Sequence, residues 1–184
     1  MFQGRSNVRK GRVRRAIQER AATARRRSLS YDCAARLHTP TAMKIRSYQT
    51  QDESAVIALW DACGLIRPWN DPRRDIARKL TEQPELFLVG TENERLVATA
   101  MAGFDGHRGW VYYLAVDPDF RRLSYGKALM LEVERLLTAR GCPKVNLLVR
   151  NSNKQVIEFY RGLGYVQDEA VSLGRRLIPD LPAP

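Results

Sequence analysis

The run Val116-Asp-Pro-Asp-Phe-Arg-Arg-Leu-Ser-Tyr-Gly-Lys-Ala-Leu129 constrains the chain more than any other segment. An apolar stretch with strand character, Trp110 to Val116, enters it. A long amphipathic stretch, Lys127 to Arg140, leaves it, with Leu129, Met130, Val133, Leu136 and Leu137 at helical spacing. A strand that turns sharply into a helix aims the helix's unpaired first N–H groups at one point, where the helix dipole is slightly positive. Such a corner suits a phosphate or pyrophosphate. Gly126 lets a ligand come close to the backbone, and Arg121 and Arg122 offer charge-assisted hydrogen bonds. The bland alternative is an ordinary βα turn with two solvated arginines.

The flanking sequence extends the pattern. Lys44–Tyr48 alternates like a half-buried strand, and Thr50 with Glu53 has the spacing of a capping box, which predicts a helix over 51–63 closed by Gly64. A two-proline loop follows, in which Asp71 is placed to cap a helix starting at Pro72 and running to about Thr81. Residues 86–91 and 96–103 read as a hairpin. Beyond the central helix, Val145–Val149 reads as a short strand, 153–163 as a helix ended by Gly164, and 165–167 and 171–177 as closing strands. The order is β-α-α-β-β-β-α-β-α-β-β, an α/β (α+β) arrangement with a mixed central sheet of six to seven strands and about four helices.

Charge separates the chain into two parts. Its net charge is +11, yet residues 1–42 hold 11 of the 31 Lys and Arg and only Glu19 and Asp32 among the acids. The body from 43 to 184 is nearly balanced. The leader is too poor in core residues to offset its ordering entropy and is expected to be disordered. It reads as a nucleic-acid-binding arm, a targeting peptide or an over-extended start of the reading frame. The last fits best, because Met43 is followed at once by an alternating strand. Nucleic acid is therefore not an expected partner, except through residues 1–42.

No apolar run reaches the ~20 residues of a membrane span. Three scattered cysteines and two histidines argue against a disulfide framework or a metal site and fit a reducing, cytoplasmic setting.

Two motifs in this order resemble the GNAT superfamily of acetyl-CoA-dependent N-acetyltransferases over roughly Met43 to Leu177. The first is Arg/Gln-x-x-Gly-x-Gly/Ala before the central helix, here Arg121, Ser124 and Gly126, followed by Ala128. Ser124 stands where the family has glycine, which requires a serine to adopt that backbone geometry. The second runs Asn153, Val156, Tyr160, Gly164 and Tyr165. The stretch Arg67-Pro-Trp-Asn-Asp-Pro72 is similar to a small bacterial branch, and ribosomal-protein N-terminal acetyltransferases are a looser likeness.

The resemblance implies acetyl transfer from acetyl-CoA to a primary amine, on a small molecule or a protein, through a tetrahedral intermediate. It implies that the backbone of Leu114, Ala115 and Val116 pairs the pantetheine arm. The pyrophosphate would lie on Arg121, Arg122, Ser124, Tyr125, Gly126, Lys127 and Ala128. Asn153 would bond the arm, although its position equally suits a helix N-cap. Tyr160 would donate a proton to the leaving thiolate, against the plain reading of a core aromatic. Trp69, Asn70 and Asp71, with Tyr112, are candidates for the acceptor pocket, against a packed Pro-bounded cap. No carboxylate lies on Trp110–Val116 to act as base, leaving Asp105, His107 or a water path past Tyr112. A catalytically weak acyl-CoA-binding or partner-binding domain of the same fold is the alternative, and a homodimer is left open.

Overall fold

The computed structural model describes residues 43–180; the basic leader lies outside them. The strands are β1 (Lys44–Ser47), β2 (Phe87–Glu92), β3 (Arg95–Phe104), β4 (Gly109–Val116) and β5 (Val145–Leu147). The helices are α1 (Glu53–Ala62), α2 (Pro72–Thr81), α3 (Tyr125–Thr138) and α4 (Lys154–Gly162). The strands form one sheet in chain order. The first three pairings are antiparallel, and β4 pairs β5 in parallel. A parallel pair needs a crossover, and α3 supplies it.

Each face of the sheet carries one layer of helix. On one side Val56, Leu59 and Trp60 of α1 and Ile76 of α2 pack on Phe87, Val89, Met101 and Ala115. On the other, Leu129, Met130, Val133 and Leu137 of α3 cover Leu88, Ala98, Ala100 and Val111, with Tyr160 of α4 beside them. This is the stripe read from the sequence, buried as its spacing requires.

Local signals worked where the chemistry is local. Asp71 accepts the Arg73 N–H at 2.9 Å and Pro72 opens α2, as predicted. Gly64 closes α1 with φ of 65°. The capping box forms one residue earlier than expected, between Gln49 and Asp52, and a 3-10 turn over Thr50–Asp52 precedes α1. Asp52 wins because Arg46 grips its carboxylate at 2.6 and 2.8 Å while Gln49 donates its N–H at 2.8 Å.

The strand count needs correcting: among the described residues the sheet has five strands, not six to seven. Neither 165–167 nor 171–177 forms a strand, and Val166, Val171 and Leu173 are 87%, 86% and 91% exposed. Alternation records an affinity for a pleated surface, but a strand also needs a ladder partner. The neighbouring β5 pairs over only three residues and stops at Leu147, short of the predicted Val149.

Among the described residues no helix is long and apolar enough to cross a membrane. Nor does any group of three or more His, Cys, Asp or Glu come together among them to hold a metal ion.

Candidate active site

The site begins with a defect in the sheet. In the β3–β4 ladder Thr99 faces Ala115 and Met101 faces Tyr112, so Tyr113 and Leu114 both stand opposite Ala100. This is a β-bulge, and Tyr113 takes the left-handed conformation at its centre, with φ of 50°. A bulky residue there needs outside support. Thr99, fully buried, donates its hydroxyl to the Tyr113 carbonyl at 3.0 Å and accepts the Trp60 indole N–H at 3.0 Å. The Trp60 ring stacks on the Tyr113 ring at 3.9 Å. Tyr113 then donates its hydroxyl to Asp75 of α2 at 2.6 Å. Burial, first, and this carboxylate hold the Tyr113 phenol far above its ordinary range.

Past the bulge, β4 has a strand neighbour on one side only among the described residues. Its pairing with β5 ends at Val111 and Leu147, while Ala115 and Val116 stay paired to β3. Leu114, Ala115 and Val116 therefore run along the mouth of a V. The Val116 carbonyl accepts from Cys63 Sγ at 3.3 Å and from Arg121 Nε at 3.4 Å. The side chain of Arg121 thus folds back on the strand end.

The turn into α3 follows directly. Asp117 caps a 3-10 turn over Pro118–Phe120 by accepting the Asp119 N–H at 3.0 Å, and Arg95 pairs with Asp117 at 2.6 Å. Arg122 and Ser124 both have left-handed backbones, with φ of 67° and 63°. Ser124 is the N-cap of α3 and its side chain makes no capping bond. The serine adopts the conformation that explains a glycine at this point in the family motif. Because the turn ends there, α3 starts at Tyr125, two residues before the predicted Lys127. Arg121, Arg122 and Lys127 are exposed and the first turn of α3 carries no acid, which favours an anion at that helix end.

Packing acts on two further residues of this turn. A Cβ on Gly126 would lie 3.2 Å from the Phe159 ring and 3.6 Å from Val116, so the absence of a side chain here lets α4 pack closely. Tyr125, beside Ser124, is 7% exposed and turns its phenol inward, where burial and the Glu92 carboxylate push it up to about 12.

Across the V, Asn153 caps α4 by accepting the Val156 N–H at 3.4 Å. Tyr160, two turns beyond Asn153, is 8% exposed, edge-on to Phe159 and Tyr165 at 5.0 and 5.6 Å. It belongs to the core and also lines a cavity of about 750 Å³ between β5, α4 and the segment after Tyr165. Burial pushes its phenol up to about 12.

The acceptor candidates divide. Asn70 and Asp71 are half-buried beside α2, while Trp69 and Tyr112 are 52% and 47% exposed. The Tyr112 and Trp110 rings lie 6.5 Å apart. Asp105 is taken up by its own turn, accepting from the N–H groups of Arg108 (2.6 Å) and His107 (2.8 Å) and from the Trp110 indole (3.1 Å). Those backbone donors hold its carboxyl below the usual range. His107 sits in the same turn, at the opposite end of β4 from the bulge. Tyr113 and Asp75 escaped the sequence reading; no local signal joins residues 38 apart.

Known proteins match this geometry. Residues 48–165 match the acetyltransferase (GNAT) family profile. An acetyltransferase of Yersinia pestis (strain Pestoides F) is 50% identical over 138 residues, covering 75% of this chain and 98% of its own. An acetyltransferase of Pectobacterium atrosepticum is equally similar, over the same shares. Among solved structures, the ribosomal-protein-S18-alanine N-acetyltransferase of Escherichia coli superposes with a TM-score of 0.56 at 26% identity, covering 67% of this chain and 77% of that one. AAC(6')-Iy, solved with the bisubstrate analog CoA-S-monomethyl-acetylneamine, superposes with a TM-score of 0.63 at 18% identity over 75% of this chain and 100% of that one, which shows a shared fold. By the family match and by half-identical relatives spanned almost end to end, the chain belongs to the acetyltransferase (GNAT) family of acyltransferases.

Proposed function

We propose that this protein transfers an acetyl group from acetyl-CoA to a primary amine. The observation that carries the reading is the open edge of β4 at Leu114–Val116, leading directly into the left-handed turn at Arg122 and Ser124. An extended amide chain can pair with the first, and a pyrophosphate can rest on the N–H groups of the second. Acetyl-CoA joins those two chemistries by a linker. The likeness to an enzyme named for acetylating an alanine supports an amine as acceptor.

In this reading the neutral amine adds to the thioester carbonyl, and a backbone N–H of the bulged strand meets the oxyanion. Collapse breaks the C–S bond. Tyr160 faces the thiolate as a hydrogen-bond donor. A full transfer from a phenol near 12 to a thiolate whose acid titrates near ~8.5 runs uphill, so the nitrogen's own proton completes the thiol. Asp75 is not the base, since its two oxygens accept from Tyr113 and Arg78. The amine loses its first proton to solvent, along the exposed Tyr112 side of β4.

The test pairs thermal shift with thiol release. Acetyl-CoA and CoA should raise the melting temperature where ATP does not. Thiol release should depend on added amines, screened as polyamines, aminoglycosides and short peptides with free N-termini. Stabilisation without thiol release from any of them would favour a non-catalytic acyl-CoA-binding domain.

A further inference from the structure

The C-terminal segment ends in a contact that the transfer reaction does not explain. Asp180 is 3% exposed although most of the segment before it is open to solvent. Its carboxylate accepts the Asp71 N–H at 3.1 Å and is forked by Arg78, one arm of which lies at 3.4 Å. Four residues earlier, Arg176 donates to the Asn70 side chain at 2.9 Å. The tail therefore grips Asn70 and Asp71 from two points more than 100 residues away. Both contacts lie beyond Tyr165, where the family match ends.

The grip continues inward. Arg78 also donates to Asp75 at 3.0 Å, and Asp75 receives the Tyr113 hydroxyl. Asp180, Arg78, Asp75 and Tyr113 thus form one chain of charge-assisted bonds from the tail to the bulge in β4. A buried carboxylate with three donors has no reason to leave, and removing it strands Arg78 and the Asp71 N–H.

We propose that Asp180, with Arg176, is a positioning latch that holds the 69–71 loop and Asp75 against the bulge and thereby sets which amine the site accepts. The inference rests on the acetyltransfer reading above. Asp180 touches no reacting atom; it acts through Asp71 and Arg78.

The full chain tests it with Asp180→Ala, Asp180→Asn and Arg176→Ala. Hydrogen exchange of the amides in residues 69–75 should quicken about tenfold or more in Asp180→Ala, with β3 unchanged, and by less in the other two. Asp180→Asn keeps an acceptor for the Asp71 N–H and should fall between wild type and Ala. In thiol release with spermidine and with an alanine-first pentapeptide, KM for the better amine should rise about fivefold or more while KM for acetyl-CoA stays within about twofold. If Asp180→Ala does not fold, the other two variants carry both readouts. Unchanged exchange at 69–75, or equal movement of both KM values, would overturn the latch. A wild-type chain releasing no thiol with either amine removes the acetyltransfer reading instead, and failure of the latch is distinct from that because it leaves wild-type turnover intact.

Discussion

Tyr160 is where packing and the proposed chemistry meet in a single side chain. It closes the core and it lines the cavity, so removing its hydroxyl should separate the two roles. Tyr160→Phe keeps the ring contacts with Phe159 and Tyr165. The expected result is a drop in kcat of about 10- to 100-fold with acetyl-CoA affinity nearly unchanged, measured by thiol release and by calorimetry. Because burial lifts this phenol to about 12, it stays protonated through the usual assay range, and no alkaline loss of rate below about pH 10 should trace to it. Asp105 is the contrasting case. Its carboxylate serves its own turn, so Asp105→Asn should leave turnover within about threefold while loosening the β3–β4 turn, seen as faster amide exchange at His107 and Arg108. Asp180 adds a pH dependence. The Arg78 hydrogen bond, first, and the Asp71 N–H hold its carboxyl at about 2, below its unfolded value. A depressed folded value means that the latch contributes fully above the unfolded pKa, near ~4, and fades as pH falls toward 2. Exchange at the Asp71 amide, corrected for intrinsic rate, should rise in that window.

Elements here are shaped by two backbone distortions, the bulge in β4 and the left-handed turn before α3. Thr99 serves the first with one hydroxyl, donating to the Tyr113 carbonyl and accepting from Trp60. Thr99→Val keeps the shape and leaves both partners unpaired in a buried site, at an expected cost of about 2–4 kcal/mol in denaturant unfolding. Ser124 serves the second. Ser124→Gly removes the left-handed penalty but adds unfolded-state entropy, so stability should change by less than about 1 kcal/mol. Ser124→Val should lower it by about 2 kcal/mol and weaken acetyl-CoA binding, because a β-branched residue resists that φ. The motif's serine and the family's glycine are thus two solutions of one geometric demand. The motif did not reveal that Gly126 is a packing glycine, since the Phe159 ring it admits belongs to α4, more than thirty residues on.

Across the domain, the sheet acts as a frame whose β4–β5 end is open. Burial of the two helix layers is nearly complete at Trp60, Val133 and Leu129, each 0% exposed, so the frame is rigid behind the site. Loose structure collects after Tyr165, where Leu173 and Leu177 are 91% and 84% exposed until Asp180 returns the chain to the body. Acetyl-CoA at about a hundred times its dissociation constant should add ~2.7 kcal/mol to unfolding, seen as a rise of several degrees in Tm. Added salt should shrink that rise, because exposed Arg121, Arg122 and Lys127 would be screened from an anionic ligand.

Much of this was readable before any coordinates. Asp71 and Pro72 opening α2, Gly64 closing α1 and the apolar stripe of α3 depend on residues at most a few turns apart, and local sterics and periodicity suffice for those. The two motifs named the family for the same reason, each being compact in sequence. What lay out of reach depends on partners distant along the chain. Whether 171–177 becomes a strand turns on an edge that β5 does not extend far enough to offer. The bulge at Tyr113 carries no glycine to announce it and exists because Trp60, Thr99 and Asp75 converge there. The Asp180 grip on Asp71 spans 109 residues. Local preference selects the elements, and long-range burial and hydrogen bonding decide where the strand breaks, which carboxylate stands beside it and what holds the 69–71 loop in place.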